Sequence, residues 1–141
     1  ENDGSIYKDK NVEVIAFKND HGDFENSFGF LFITKDKRIL FSGDTGVSDN
    51  LMNYGENLDI LVHEVYSSET FKNKTDDWQI YHNAHHTSSI DLGIIANKLK
   101  PKKLVLSHIL FWGATEESLL DDVKSNFDGN AIIAKDLMVI R

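Results

Sequence analysis

The sequence predicts an α/β domain: one mixed sheet covered by helices on one face. Three observations carry that reading. Strand-like segments come first and then alternate with helix-like ones, the order of a layered α/β arrangement. Two short apolar runs, Leu58–Val62 and Lys103–Ser107, have the length of strands buried on both faces. Three strand-like segments also run into residues with chemistry, at Asp44, at His63-Glu64 and at His108. In open α/β sheets the functional crevice lies at the carboxyl ends of strands. At 141 residues the chain is one domain, long enough to bury a core.

The elements follow in order. Residues 1–10 are polar and are expected to fray. Val12–Phe17 is apolar and partly alternating, a strand. A polar turn through His21 and Gly22 leads to a second strand over Ser27–Thr34, rich in aromatic and β-branched residues. Lys35-Asp36-Lys37 joins it to a third strand, Arg38–Ser42, completing an antiparallel meander of three. Gly43 and Gly46 then let the chain turn around Asp44.

Ser48-Asp49 caps a short helix that stops by Gly55. The strand of Leu58–Val62 ends at His63-Glu64. Residues 66–81 read as an irregular surface loop or lid anchored by Phe71 and Trp78. Thr87-Ser88-Ser89 caps a helix to about Lys100, with Leu92, Ile95, Ala96 and Leu99 on one side and Pro101 ending it. After Lys103–Ser107, Thr115 caps a last helix to about Phe127, with Glu116 and Glu117 favourably placed in its first turn. Ala131–Ala134 and Leu137–Ile140 form a final strand pair.

Composition narrows the function. No cysteine is present, so disulfides and thiolate metal sites are excluded, and any metal must be held by His and carboxylate. The net charge of −8 and the lack of a basic block longer than Lys102-Lys103 argue against a general nucleic-acid binder. The acidic balance fits a small-molecule site better, with no nucleic acid by default. No apolar run approaches the ~18–20 residues of a membrane span, so no membrane partner is expected. No targeting segment is visible; the cytoplasm is the default location, and a cysteine-free chain also suits secretion or the periplasm. The chain begins without Met, as expected of a processed product or a piece of something larger.

The candidate site residues are His21, Asp44, Glu64, His85, His86 and His108. Each has an ordinary reading: a turn Asp bonding its own backbone, a surface His, a strand-end carboxylate, a helix-capping pair, a core His. All of them falling at element ends is what points to a site.

The ordered set Ser42-Gly43-Asp44-Thr45-Gly46, Asp59–Glu64, His85-His86-Thr87-Ser88 and Leu104–His108 resembles the C-terminal half of a metallo-β-lactamase-fold hydrolase. The resemblance is to the ribonuclease Z and arylsulfatase/phosphodiesterase-like branch. It runs from about Val12 to the end and implies half of an αββα sandwich. It further implies two divalent metal ions, usually zinc. Asp44 would bridge them, His21 would bind one and His108 the other. Glu64 and His86 match the family's proton-handling pair, His86 near the leaving group and Glu64 orienting it. His85 matches no required position.

The family's His-x-His-x-Asp-His signature is absent, as is the N-terminal sheet that carries it. The expectation is therefore a chain that binds metal weakly and has little activity alone. Its exposed face would associate with itself or pack against the missing N-terminal half. Two other readings stand beside phosphodiester hydrolysis. One is a degenerate relative kept for binding or assembly. The other is a lactamase or thioesterase of the same fold.

Overall fold

Alternating apolar residues and polar turns produce a run of hairpins before the first helix. The computed structural model describes residues 3–140. Its seven strands form one mixed sheet in sequence order. β1 (Gly4–Lys8), β2 (Val12–Lys18), β3 (Phe28–Thr34) and β4 (Arg38–Phe41) pair antiparallel. β5 (Ile60–Tyr66), β6 (Lys103–Leu110) and β7 (Ala131–Ile133) then add in parallel. Helices supply the connections parallel strands require: α1 (Asp49–Tyr54) before β5, and α5 (Glu116–Lys124) before β7. Between β5 and β6 lie α2 (Ser68–Phe71), α3 (Asp76–His85) and α4 (Ser89–Leu99).

Register assigns the two faces of the sheet. Ile15, Leu31, Leu40, Leu61 and Leu104 pair across five strands and share one face. They join Leu51 of α1, Leu92, Ile95 and Ala96 of α4, and Leu119 and Val123 of α5 in the core. The opposite face carries a second apolar row, Ala16, Phe30, Phe41, Val62 and Val105. Phe41 is 42% exposed there, beside a depression of about 260 Å³ lined by Ile39, Ile60 and Val105 among others.

Four expectations change. The amino-terminal segment is a strand, so the meander has four strands rather than three. Asp9 Oδ1 accepts the N–H groups of Asn11 and Val12, both at 2.8 Å, closing the β1–β2 turn. Residues 66–81 are not an irregular loop: Tyr66 ends β5, and α2 and the first part of α3 follow. The helix α3 hides from a periodicity reading because its apolar side chains face outward, with Trp78, Ile80 and Tyr81 at 48%, 71% and 49% exposure. Trp78 is thus no buried anchor, whereas Phe71 stacks on Tyr66 with ring centroids 4.6 Å apart. Residues 137–140 are not a strand: Leu137 takes a left-handed φ of 62°, which breaks an extended run. β5 and β6 also run further than expected, to Tyr66 and Leu110. No helix among the described residues is long and apolar enough to cross a membrane.

Candidate metal centre

The site is assembled where β4, β5 and β6 end. Pairing continues one residue past β4, with Ser42 N–H donating to the Val62 carbonyl at 2.9 Å. The chain then turns at Gly43, whose φ is 64° and where a Cβ would lie 2.5 Å from the Phe28 carbonyl oxygen. Glycine alone suits both constraints. The turn delivers Asp44, whose backbone carbonyl accepts from Asn19 Nδ2 at 3.2 Å and Ser27 Oγ at 3.3 Å.

Glu64 holds the arrangement together. It is 2% exposed on β5. Its Oε1 accepts the N–H of Thr45 at 3.2 Å and that of Thr87 at 2.9 Å. The Thr87 hydroxyl in turn donates to the Thr45 carbonyl at 2.7 Å. One carboxylate oxygen therefore ties the Asp44 loop to the His86 loop. These two donors satisfy Oε1, whereas Oε2 is buried without a hydrogen-bond partner.

His86 Nδ1 lies 3.4 Å from the same oxygen, an ion-pair contact too long to satisfy the nitrogen as a hydrogen bond. Burial disfavours its protonation. The neighbouring Glu64, with Asp44, outweighs that and holds the His86 pKa above the ordinary imidazole value.

His108 reaches the site by a backbone irregularity. Glu64 pairs with Ser107 and Val65 with Ile109, so His108 is the extra residue of a β-bulge, with φ at 41°. Bulges re-aim a side chain. A non-glycine residue in that region costs about 1–3 kcal/mol, which the flanking ladder sustains. The ring is thereby turned to Asp44, with Nε2 3.3 Å from Oδ2. Asp44, His86 and His108 offer ligand atoms that all lie within 4.8 Å of one another. Two imidazoles and a carboxylate, with no thiol, form a donor set that fits zinc and similar divalent ions.

His21 stands beside this group, its ring 5.3 Å from that of His86. Its Nδ1 bonds the His85 carbonyl at 2.7 Å. That fixes the proton on Nδ1 and leaves Nε2 as a lone-pair donor, the usual orientation of a metal-binding imidazole. His85 itself is buried, with Nδ1 2.7 Å from the Tyr81 carbonyl and Nε2 3.1 Å from Asp23. Both its nitrogens are engaged. His63 is fully buried, and that burial pushes its pKa below the ordinary imidazole value.

In sequence the chain is similar to ribonuclease Z. The Bacillus velezensis enzyme is 34% identical over 142 residues, covering 97% of this chain and 43% of its own length. Among solved structures, the metallo-β-lactamase-fold protein YhfI from Bacillus subtilis aligns over 94% of this chain and 50% of its own, with TM-score 0.76 and 20% identity. Human tRNase Z, short form, aligns over 99% of this chain and 47% of its own, with TM-score 0.69 and 22% identity. The chain is a relative of ribonuclease Z built on the metallo-β-lactamase fold. No family model matches it. It spans less than half the length of the Bacillus velezensis relative.

Within this metallo-β-lactamase fold, three supporting features escape a reading of residue types. The Glu64 bonds to Thr45 and Thr87, the bulge at His108 and the His21 bond to a backbone carbonyl are all long-range backbone effects. The one signal available is the hydroxyl residue after two of the site residues: Thr45 follows Asp44, and Thr87 follows His86.

Proposed function

We propose that the complete protein is a metal-dependent hydrolase of phosphodiesters or related esters, and that this chain supplies the C-terminal half of its site. The observation that carries this is the single Glu64 oxygen that fixes the Asp44 and His86 loops together. A binding module has no need of that junction.

Asp44, His21 and His108 would hold the metal ions, zinc in the first instance, with Asp44 shared between them. Two such ions would activate a water and stabilise the attacking and leaving oxygens. His86 keeps its Nδ1 toward Glu64, leaving Nε2 free. With Glu64 beside it raising its pKa, His86 would hand a proton from Nε2 to the departing oxygen. Glu64 orients that ring and stabilises its charge. No side-chain nucleophile is required.

The remaining ligands would come from an N-terminal half packed on the second apolar face of the sheet, the row through Phe30, Phe41 and Val62. The short span relative to the relatives supports this. The 141-residue chain alone is then expected to hold little metal, to show little activity, and to self-associate through that face.

Elemental analysis of the full-length product beside this chain tests the reading. About two metals per full-length chain, with phosphodiester turnover, is the expected result for a two-metal site. No metal in either form would overturn it in favour of a non-catalytic relative.

A further inference from the structure

His85 has no part in the hydrolytic chemistry, yet its ring is held from several sides. Nδ1 lies 2.7 Å from the Tyr81 carbonyl, which ties the side chain back to α3. The ring stacks on that of Tyr81, with centroids 4.0 Å apart and planes at 20°. Nε2 reaches across to Asp23 Oδ1 at 3.1 Å. Gly22 lies flat against the same ring; its φ is 55°, and a Cβ there would run into the imidazole.

The backbone of His85 grips the same turn from the other side. Its carbonyl accepts the bond from His21 Nδ1. The carbonyl before it, that of Ala84, accepts the Gly22 N–H at 3.0 Å. Residues 84 and 85 therefore engage residues 21, 22 and 23 together. The Asp44 loop also supports the turn, with Gly46 N–H donating to the Asp20 carbonyl at 2.6 Å and Asp20 N–H to Thr45 Oγ1 at 3.1 Å. Those bonds set where the turn lies, and neither reaches the His21 ring.

We infer that His85 is a positioning residue for His21: it fixes the carbonyl that occupies Nδ1 and so keeps Nε2 as the free donor atom beside His86. The inference rests on the ligand role proposed for His21. An imidazole turns about two bonds, and a carbonyl stops that rotation only if the carbonyl is itself fixed. His85 is the last residue of α3, and helix ends fray. The ring contacts to Tyr81, Gly22 and Asp23 are what hold this end in place.

The test uses the full-length protein, with zinc affinities measured by chelator competition. His85→Ala is expected to weaken one of the two ions by roughly 10- to 100-fold and to leave the other near its wild-type affinity. His21→Ala should weaken the same ion at least as far. Adding His85→Ala to His21→Ala should then cost nothing more, because the residue it acts through is gone. Asp23→Ala changes a side chain that is 91% exposed, makes no demand on the core, and should weaken the same ion by a smaller factor. A second readout needs no metal. Long-range proton–nitrogen NMR of the neutral ring should place the His21 proton on Nδ1 in the wild-type protein. In His85→Ala the signal should shift toward the Nε2–H form.

Loss of both ions together, or a loss that persists in the His21→Ala background, would make His85 a general support of the fold and overturn the inference. An unchanged Nδ1–H signal in His85→Ala would overturn it too, whatever the zinc affinities. Unchanged zinc affinity in His21→Ala would instead remove the ligand role on which the inference rests, a failure the metal-free spectra keep separate. If His85→Ala does not fold, Asp23→Ala decides by the same two readouts, and wild-type behaviour in both would overturn the positioning role.

Discussion

The two sides of His86 are built by opposite means. Toward β5 it meets a buried carboxylate whose oxygen already accepts two backbone N–H groups. Toward α3 it meets His82 and then half-exposed rings held by stacking and by Lys74. Hydrogen bonds to a buried charge fix one geometry, and losing one leaves a polar group stranded. Stacked rings on a surface helix tolerate sliding and exchange. Reaction chemistry needs positions held within fractions of an ångström. The division between the Glu64 side and the Trp78 side follows that difference.

The comparison breaks first at Asp44. In the full-length protein Asp44→Ala should remove metal and activity together. The loss in turnover should exceed the roughly 100-fold that supporting residues around a metal commonly cost. Elemental analysis beside kinetics checks it; full zinc content in that variant would sink the ligand assignment.

His86→Ala should keep the metal and slow turnover by roughly 100- to 10,000-fold, the range for a lost proton donor. Metal lost along with activity would make His86 a ligand. That outcome is pertinent because His86 shares the group with Asp44 and His108.

Glu64 separates structure from chemistry. Glu64→Ala strands two buried N–H groups, at about 1–3 kcal/mol each, and should lower stability by roughly 2–6 kcal/mol. Glu64→Gln retains an acceptor oxygen and should recover most of that stability without recovering turnover, since the charge beside His86 is gone. Denaturant midpoints and kcat for the two variants give the answer. Equal activity in the Glu64→Gln variant and the wild-type protein would show Glu64 to be a loop clamp only.

A smaller loss is expected at Gly43. Alanine there must hold φ near 64° and place its Cβ 2.5 Å from the Phe28 carbonyl oxygen. A cost of about 1–3 kcal/mol is expected, with Asp44 displaced and metal affinity reduced. Unchanged affinity would mean that the loop tolerates the shift.

Much of the β4–β5–β6 end was legible because local signals agree there. Apolar runs of strand length stop at Asp44, His63-Glu64 and His108, and the caps at Ser88 and Thr115 form as expected, each side chain accepting a backbone N–H. The illegible parts depend on what lies far away in sequence. His108 is bulged because the β5–β6 register slips between Glu64 and Val65, which no local pattern records. β1 exists because Asp9 closes its turn and the Lys18 N–H donates to Asp3 Oδ1 at 2.7 Å. α3 looked irregular because hydrophobic periodicity reports a helix only when its apolar side meets a core, and this one turns Trp78 and Ile80 outward.

That outward face gives the smallest expected effect and the sharpest form of the comparison. Trp78→Ala removes a stack on His82 and a cation–π contact with Lys74, both at the surface. Each exposed contact of this type is worth about 0.5–1 kcal/mol, so losing the two should lower stability by about 1–2 kcal/mol. Denaturant midpoints of Trp78→Ala and Glu64→Ala, measured side by side in the full-length protein, put a number on the contrast. If Trp78→Ala destabilises as much as Glu64→Ala, the ring is part of a core that the complete protein closes over it. The two sides of His86 would then be built alike after all.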